Sequence, residues 1–303
     1  VTGLVEVLTQ NILPIFLVAG LGFWLKRSRG LDPRPVAAVV FNGFSPCLVF
    51  VALVNSRLPP DELARLGLFS LLVILLMGLI GLVAGHLLRL TRTEKVVLLL
   101  VVMFVNGGNY GLTLNQLRYG EAGLSRAIVY YIVSTILVFT LGVFIASMGQ
   151  RPWQDAARRL LRVPALYAVL AAIAVYSFQL TVPAPLYSAI EVAADGAIPA
   201  MLVVLGMNMA RLQGKGDLRL AIPAVSLRLL VAPLVALLVA GQLGLEGLSR
   251  STAIIEASMP AAVIITVIAT EFDVKPLAVT GIVVLSTLFS PLTLAVFINL
   301  FGL

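Results

Sequence analysis

With one cysteine, Cys47, and one histidine, His86, among 303 residues, this chain cannot close a disulfide within itself or build a Cys/His zinc cluster. Charge is scarce too: 12% of the residues are Asp, Glu, Lys or Arg, against about 25% in a soluble domain. There is no Gly-rich nucleotide loop ending in Gly-Lys-Ser/Thr and no H-E-x-x-H pair, which argues against an ATP-driven pump and a metalloenzyme. Gly20-Leu21-Gly22 is no dinucleotide fingerprint, because no strand precedes it. No nucleophile stands paired with a base inside an apolar stretch, so the chain reads as a non-enzyme without a cofactor.

What the sequence has instead is hydrophobic length. Hydrophobic residues make up 60% of it, and a bilayer-spanning helix needs roughly 20 mostly apolar residues. Ten such stretches follow one another: Leu4–Leu25, Val36–Val54, Gly67–Leu90, Val96–Leu117, Ala127–Met148, Val163–Leu180, Ser188–Met209, Ala221–Leu243, Thr252–Thr270 and Pro276–Leu300. They predict an all-α integral membrane protein with ten transmembrane helices in the lipid bilayer. The runs are continuous rather than alternating, which excludes a β-barrel, and the connections are too short for a soluble domain. The first stretch is followed, not preceded, by the basic residues Lys26, Arg27 and Arg29; it reads as a retained helix, not a cleaved signal.

Fifteen of the 21 lysines and arginines fall in the connections after odd-numbered spans, five in those after even-numbered spans, and Arg228 falls inside a span. Because cytoplasmic connections carry the excess of Lys and Arg, this places the odd connections in the cytoplasm and both termini outside, for a multi-pass protein of the plasma (cell inner) membrane. The same bias accounts for the formal charge of +7 without a nucleic-acid partner.

The sequence also repeats itself. Asn42-Gly43-Phe44-Ser45-Pro46 in span 2 and Asp195-Gly196-Ala197-Ile198-Pro199 in span 7 share the pattern [N/D]-G-x-x-P, 153 positions apart, and Ser134-Thr135 in span 5 pairs with Ser286-Thr287 in span 10 at 152. This predicts two five-helix halves, residues 1–150 and 151–303. Five is odd, so the second half enters from the opposite side, the inverted repeat of many secondary transporters. Such folds bind substrate near the midplane, where discontinuous helices meet. Span 4 is interrupted by Asn106-Gly107-Gly108-Asn109-Tyr110-Gly111, and span 9 by Pro260. Asn106 lies about 16 Å beyond Lys95, and Pro260 about 15 Å beyond Arg250, at 1.5 Å per residue. Glycine and proline both weaken a helix at these depths, and the freed backbone groups can bind ions or polar atoms.

These residues resemble a known family. Ser258-Met259-Pro260-Ala261-Ala262, followed by Ala269-Thr270-Glu271-Phe272, looks like the MP…A-x-E-[YF] signature of the auxin efflux carrier family, which includes plant PIN-FORMED carriers and bacterial malonate-type permeases. Asn106 to Gly111 is similar to its span-4 motif, N-x-G-N-x-G-x-P, except that Leu112–Thr113 replace the proline. Pro14 with Gly20 to Phe23 resembles its first span. The resemblance implies a scaffold of spans 1, 2, 6 and 7, a mobile transport domain of spans 3–5 and 8–10, and crossing helices 4 and 9 carrying the substrate site. It also implies small organic anions as substrates, elevator-like movement and a homodimer. A more distant resemblance is to bile acid/sodium symporters, in which a glutamate at the position of Glu256 binds sodium. Gly111 and Leu112 match that family's span-4 ligands less well.

The candidate residues follow. Glu256 is an intramembrane carboxylate one turn before the break, fit to bind Na⁺ or a proton, or simply to make a structural hydrogen bond. Asn106 and Asn109 can orient a carboxylate or coordinate a cation, or cap the broken helix ends. The substrate set read from the sequence is Asn106, Gly107, Gly108, Asn109, Tyr110, Pro260, Ala261, Asn42 and Arg228; the ion set is Glu256, Ser258, Met259 and Asn109. Arg228 attracts an anion in one reading and snorkels or pairs structurally in the other. Asp195 is the repeat partner of Asn42, Ser258 and Thr266 flank the second break, and Glu191, Glu271, Asp273 and His86 read as end-of-span residues. The expectation is a secondary transporter for a small organic anion, coupled to Na⁺ or H⁺. An ion-independent uniporter, a channel and a membrane sensor are the alternatives.

Overall fold

The computed structural model of the chain describes residues 2–56, 58–147, 161–210 and 218–303. Among them the chain is helical throughout, apart from one isolated antiparallel bridge. The order is α1 (Leu4–Arg29), α2 (Pro33–Val54), α3 (Pro60–Leu87), α4 (Arg92–Met103), α5 (Gly107–Ala146), α6 (Pro164–Ser177), α7 (Ala184–Met209), α8 (Leu218–Gln242), α9 (Gly247–Ala257), α10 (Ile264–Glu271) and α11 (Pro276–Phe301). Seven of these, α1, α2, α3, α5, α7, α8 and α11, are long and apolar enough to cross a membrane. Pro33, Pro60, Pro164 and Pro276 each stand in a first turn, where the missing N–H has no helical partner to lose. A capping box between Thr91 and Glu94 starts α4.

The ten apolar stretches map onto these helices unevenly. Spans 4 and 9 are each split, into α4 with the start of α5 and into α9 with α10. The start of α5 runs on into span 5 as a helical stretch of 40 residues. At 1.5 Å per residue that is about 60 Å, about twice the hydrocarbon thickness. Gly120 divides it, at φ 63° and ψ −155°, a region that only glycine enters readily. The segment around residues 118–126, which reads as a connection in the sequence, is therefore helical on both sides of a kink. Span 6 shortens to the 14 residues of α6. Of the basic residues used for orientation, Arg57, Arg151, Arg158, Arg159, Arg211 and Lys215 lie outside the described residues.

Packing divides the helices into two groups. α1 lies along the second half of α7, and α2 lies on α6 and the first half of α7; α3 packs on α4, α5 and α8, α9 on α5 and α8, and α10 on α11. One apolar cluster joins α1, α3, α4, α8 and α9 to α11, through Ile15, Phe69, Leu100, Ala236, Ile255 and Ile282. A second joins α2, α5, α6 and α7, through Val49, Ile128, Ala165, Ala197 and Met201. In lipid, helices gain little hydrophobic drive from touching, so small residues that admit close backbone contact decide the pairing. At Gly22 an added Cβ would lie 2.8 Å from the carbonyl carbon of Val203, and at Gly206 it would lie 2.9 Å from Cα of Ala19. The α1–α7 contact therefore needs glycine at both places. Outward-facing Leu17, Leu79, Leu238 and Leu292 are each more than half exposed, which suits a hydrocarbon surrounding and not water.

Candidate functional site

The two helix breaks touch. α4 ends at Met103, and Phe104 is extended, at φ −107° and ψ 124°. α9 ends at Ala257, and residues 258–263 separate it from α10. Val105 and Ala261 form the antiparallel bridge. Asn106 N–H donates to the Pro260 carbonyl at 2.8 Å, and Ala262 N–H donates to the Phe104 carbonyl at 3.0 Å. Ala261 N–H donates to Ser286 Oγ at 3.2 Å. A buried backbone group without a partner is costly, and here each break supplies partners to the other. Pro260 has no N–H to offer, but its carbonyl is used.

Beside the crossing lies a cavity of about 370 Å³. Asn42 and Ser45 reach it from α2, Tyr131, Ser134 and Thr135 from α5, and Asn208 from α7; Asn106, Gly107, Gly108 and Asn109 supply the edge of the break. Phe41, Phe139, Val138, Met201, Val204, Val263 and Ile264 make its apolar wall. Among the described residues no carboxylate lines it, and its one basic residue, Arg34, is paired with Asp32 at 2.7 Å and is largely exposed. A second cavity of about 400 Å³ adjoins it, shares Asn208 and Val263, and is lined by Lys26, Thr266, Thr270, Thr280 and Thr287.

Glu256 sits on a different face of the same turn. Its side chain is fully buried. Asn115 Nδ2 donates to Glu256 Oε1 at 3.2 Å and to the Gly111 carbonyl at 3.0 Å. Glu256 Oε2 and Asn115 Oδ1 are buried without a hydrogen-bond partner. A Cβ added to Gly107 would lie 2.7 Å from Glu256 Oε2, whereas one added to Gly108 would lie 2.9 Å from the Tyr131 ring. The glycines of the break are thus contact surfaces: Gly107 and Gly111 for the carboxylate, Gly108 for the cavity wall.

The structure draws some of the sequence candidates together and sets others apart. Asn42, Asn106, Gly107, Gly108 and Asn109 line the first cavity, and Pro260 and Ala261 are buried in the crossing behind it. Tyr110 points away from the cavity, fully buried and edge-on to Phe16 with ring centroids 5.9 Å apart. Arg228 neither lines the cavity nor snorkels. It is 1% exposed, because its Nη1 donates to the Val102 carbonyl at 2.7 Å and its Nη2 to the Ala257 carbonyl. In the ion set, Met259 is buried, the Ser258 hydroxyl is spent on its own helix at Ile254 O, and Asn109 faces the cavity while Glu256 does not. Thr266 bonds its own backbone at Val263 O; Asp195 and Glu191 are exposed.

Sequence reasoning passed over Asn115, Tyr131, Ser45 and Asn208. Asn115 left a signal: Gly107, Gly111 and Asn115 are spaced by four, which puts them on one helix face. Away from the cavities, Arg118 Nη1 donates to Asn11 Oδ1 at 3.0 Å, and Arg126 Nε to Glu62 Oε1 at 2.8 Å.

A family model described as "Membrane transport protein" matches residues 7–154 and 153–298. An uncharacterized transporter of Methanothermobacter thermautotrophicus is 26% identical over 291 residues, covering 94% of this chain and 96% of the relative. One from Methanocaldococcus jannaschii is 24% identical over 239 residues, covering 77% and 78%. Auxin efflux carrier component 1 of Arabidopsis thaliana is 29% identical over 151 residues, 47% of this chain and 24% of the plant protein. The chain belongs to the membrane transport protein family, the family of the auxin efflux carriers.

Proposed function

We propose that this transporter carries a small organic anion by alternating access, holding it at the crossing of the two helix breaks. The observation that supports this reading best is the pair of backbone hydrogen bonds joining Asn106 to Pro260 and Ala262 to Phe104 at the edge of a polar cavity. The amides of Asn106 and Asn109 can donate to a carboxylate. The start of α5 adds N–H groups at the positive end of a helix dipole.

The lining favours one charge on an apolar body. A second carboxylate would be desolvated against Val138, Met201 and Ile264, where the one basic lining residue among those described, Arg34, is already paired with Asp32, and this is costly. Phe41, Phe139 and Tyr131 offer aromatic faces to the apolar part. The ligand class is therefore a monocarboxylate with an aromatic or branched aliphatic body.

The donor set around Glu256 fits a hard cation. Its Oε2 and Asn115 Oδ1 are buried oxygens without partners, and oxygen ligands suit such ions. Glu256 and Asn115 would hold Na⁺ or, at the carboxylate alone, a proton; either neutralises the buried charge. Both sites share the turn Gly107–Gly111, so ordering that turn from one side pre-organises the other. Ion-independent uniport is the second reading, favoured by the Asn115 amide that already supports the carboxylate.

The movement we infer is elevator-like, in a ten-span arrangement of two inverted halves. The helix pairings support it: α1 and α2 pack on α6 and α7, while α3 packs on α4, α5 and α8, so that α1, α2, α6 and α7 would act as scaffold against the rest. Both cavities lie at the Lys26 and Arg34 side, which the charge bias makes cytoplasmic, while Arg118 with Asn11 and Arg126 with Glu62 tie the helices elsewhere. The test is thermal stability of the purified protein across mono- and dicarboxylates, each in Na⁺ and K⁺ at constant ionic strength, followed by uptake into proteoliposomes. A native-state ligand raises the midpoint. Monocarboxylates should stabilise and dicarboxylates should not; a panel in which no carboxylate stabilises or is taken up overturns the reading.

A further inference from the structure

Where the two helices break, each leaves a carbonyl without its helical partner. The Val102 carbonyl would normally accept from Asn106 N–H, but that N–H donates to Pro260 O. The Ala257 carbonyl would normally accept from Ala261 N–H, but that N–H donates to Ser286 Oγ. Both carbonyls belong to the last turn of a half-helix, α4 and α9, where the helix dipole places partial negative charge. In broken-helix carriers these freed carbonyls and half-helix C-terminal ends are where a coupling cation binds. Here one guanidinium takes both: Arg228 Nη1 donates to Val102 O and Nη2 to Ala257 O.

We infer that Arg228 is a built-in cation, occupying the place between the two half-helix ends that a diffusible cation would otherwise fill. It is carried there by α8, which belongs to neither broken helix, on a π-helical turn, Leu227–Val231. Its planar fork suits two carbonyls at once. The side chain is 1% exposed, so its charge serves these carbonyls and not the lipid surface or the cavity. Arg228 is accordingly a positioning residue: it holds the C-terminal ends of α4 and α9 together, so that the crossing travels as one piece. The consequence is a count. A diffusible cation has one place left, at Glu256, and removing Arg228 creates a second. This rests on the carrier reading above, with Glu256 as the remaining cation site.

The experiment compares wild type, Arg228→Ala, Arg228→Met and Arg228→Lys, purified in Na⁺, K⁺, choline and low-millimolar methylguanidinium at constant ionic strength, reading the thermal midpoint and the Na⁺ dependence of uptake. Arg228→Ala should lose midpoint and regain part of it in methylguanidinium or Na⁺, cations that leave the wild-type midpoint unchanged beyond its Glu256 response. Arg228→Met should show a steeper Na⁺ dependence of uptake than wild type. Arg228→Lys, which keeps the charge, should fold and respond to cations as wild type does. Neutral variants that respond to cations as wild type does overturn the inference. If the neutral variants do not fold, a folded Lys variant with a new cation response overturns it equally. Failure of the Glu256 reading looks different: the wild type shows no cation response, while the gain in Arg228→Ala remains.

Discussion

The Glu256 carboxylate lies where a side chain at position 111 would begin: a Cβ added to Gly111 would stand 2.6 Å from its carboxyl carbon. Gly111→Ala should therefore push the carboxylate off the α5 turn or open the crossing. Overpacking of this kind costs about 1–3 kcal/mol. The expected result is a lower thermal midpoint, loss of any Na⁺-induced shift and loss of uptake. A Gly111→Ala protein that keeps its Na⁺ response would show that Glu256 does not act from this position.

Asn115 supplies the hydrogen bond to Glu256 and donates to the Gly111 carbonyl with the same amide nitrogen. Asn115→Leu keeps the branching at Cγ and leaves the carboxylate without that donor, at about 1–3 kcal/mol for a buried polar group left unsatisfied. Pairing it with Glu256→Gln in a double-mutant cycle should recover part of that loss, since an amide tolerates burial better than a carboxylate. Strictly additive midpoints would mean the two residues are not coupled.

The two helix breaks of this candidate site were legible in the sequence. Gly107, Gly108, Gly111 and Pro260 mark the breaks because they weaken helices whatever surrounds them. The near-constant spacing of two motifs suggested that the breaks correspond. Depth along a span could not show direction. For Arg228 the sequence left an anion contact, snorkelling and structural pairing open; it turns inward to the Val102 and Ala257 carbonyls, partners that only the folded chain brings to it. Tyr110 looked like a lining residue beside Asn109, but one position along a helix turns the side chain by about 100°, onto Phe16. The kink at Gly120 was hidden because Arg118 to Arg126 carry enough charge to resemble a connection.

The close approach of α1 and α7 offers a paired test of packing. Gly206 has the Ala19 backbone against it, whereas Gly20, on the same helix as Ala19, has open space around it. Gly206→Leu should separate the helices and lower the thermal midpoint strongly, by several times the effect of Gly20→Ala. The latter should be neutral or slightly stabilising, because alanine is the better helix former by about 1 kcal/mol. Equal midpoints for the two variants would show that the α1–α7 contact is loose.

Glu94 opens α4 and joins it to the turn before α11. Lys275 donates to it at 2.7 Å, and that bond, with the Thr91 backbone and hydroxyl, holds its carboxyl down at about 2 against an ordinary 4.5. A depressed carboxylate stabilises the fold above its unfolded pKa and loses that contribution as pH falls through the folded one. Glu94→Gln keeps the capping partner and removes the charge. Its midpoint deficit should be constant at neutral pH, worth less than about 1 kcal/mol for so exposed a pair, and should shrink between pH 4.5 and pH 2. A deficit that persists unchanged at the acid end would assign it to packing.

Asn109 and Tyr110 are neighbours in sequence, but only Asn109 faces the cavity. If the carboxylate of the substrate is held at this break, Asn109→Ala removes a hydrogen bond to a charged group, worth about 1.5–3 kcal/mol, or roughly tenfold to a hundredfold in dissociation constant. Tyr110→Phe removes a hydroxyl on the far side of the turn and keeps the ring against Phe16, so affinity should stay within about twofold of wild type. The measurement is titration of a stabilising monocarboxylate into each variant, with midpoints recorded alongside to exclude unfolding. The reverse ranking, affinity lost with Tyr110→Phe and kept with Asn109→Ala, would move the substrate to the α1 side of the helix and leave the cavity without a role in binding.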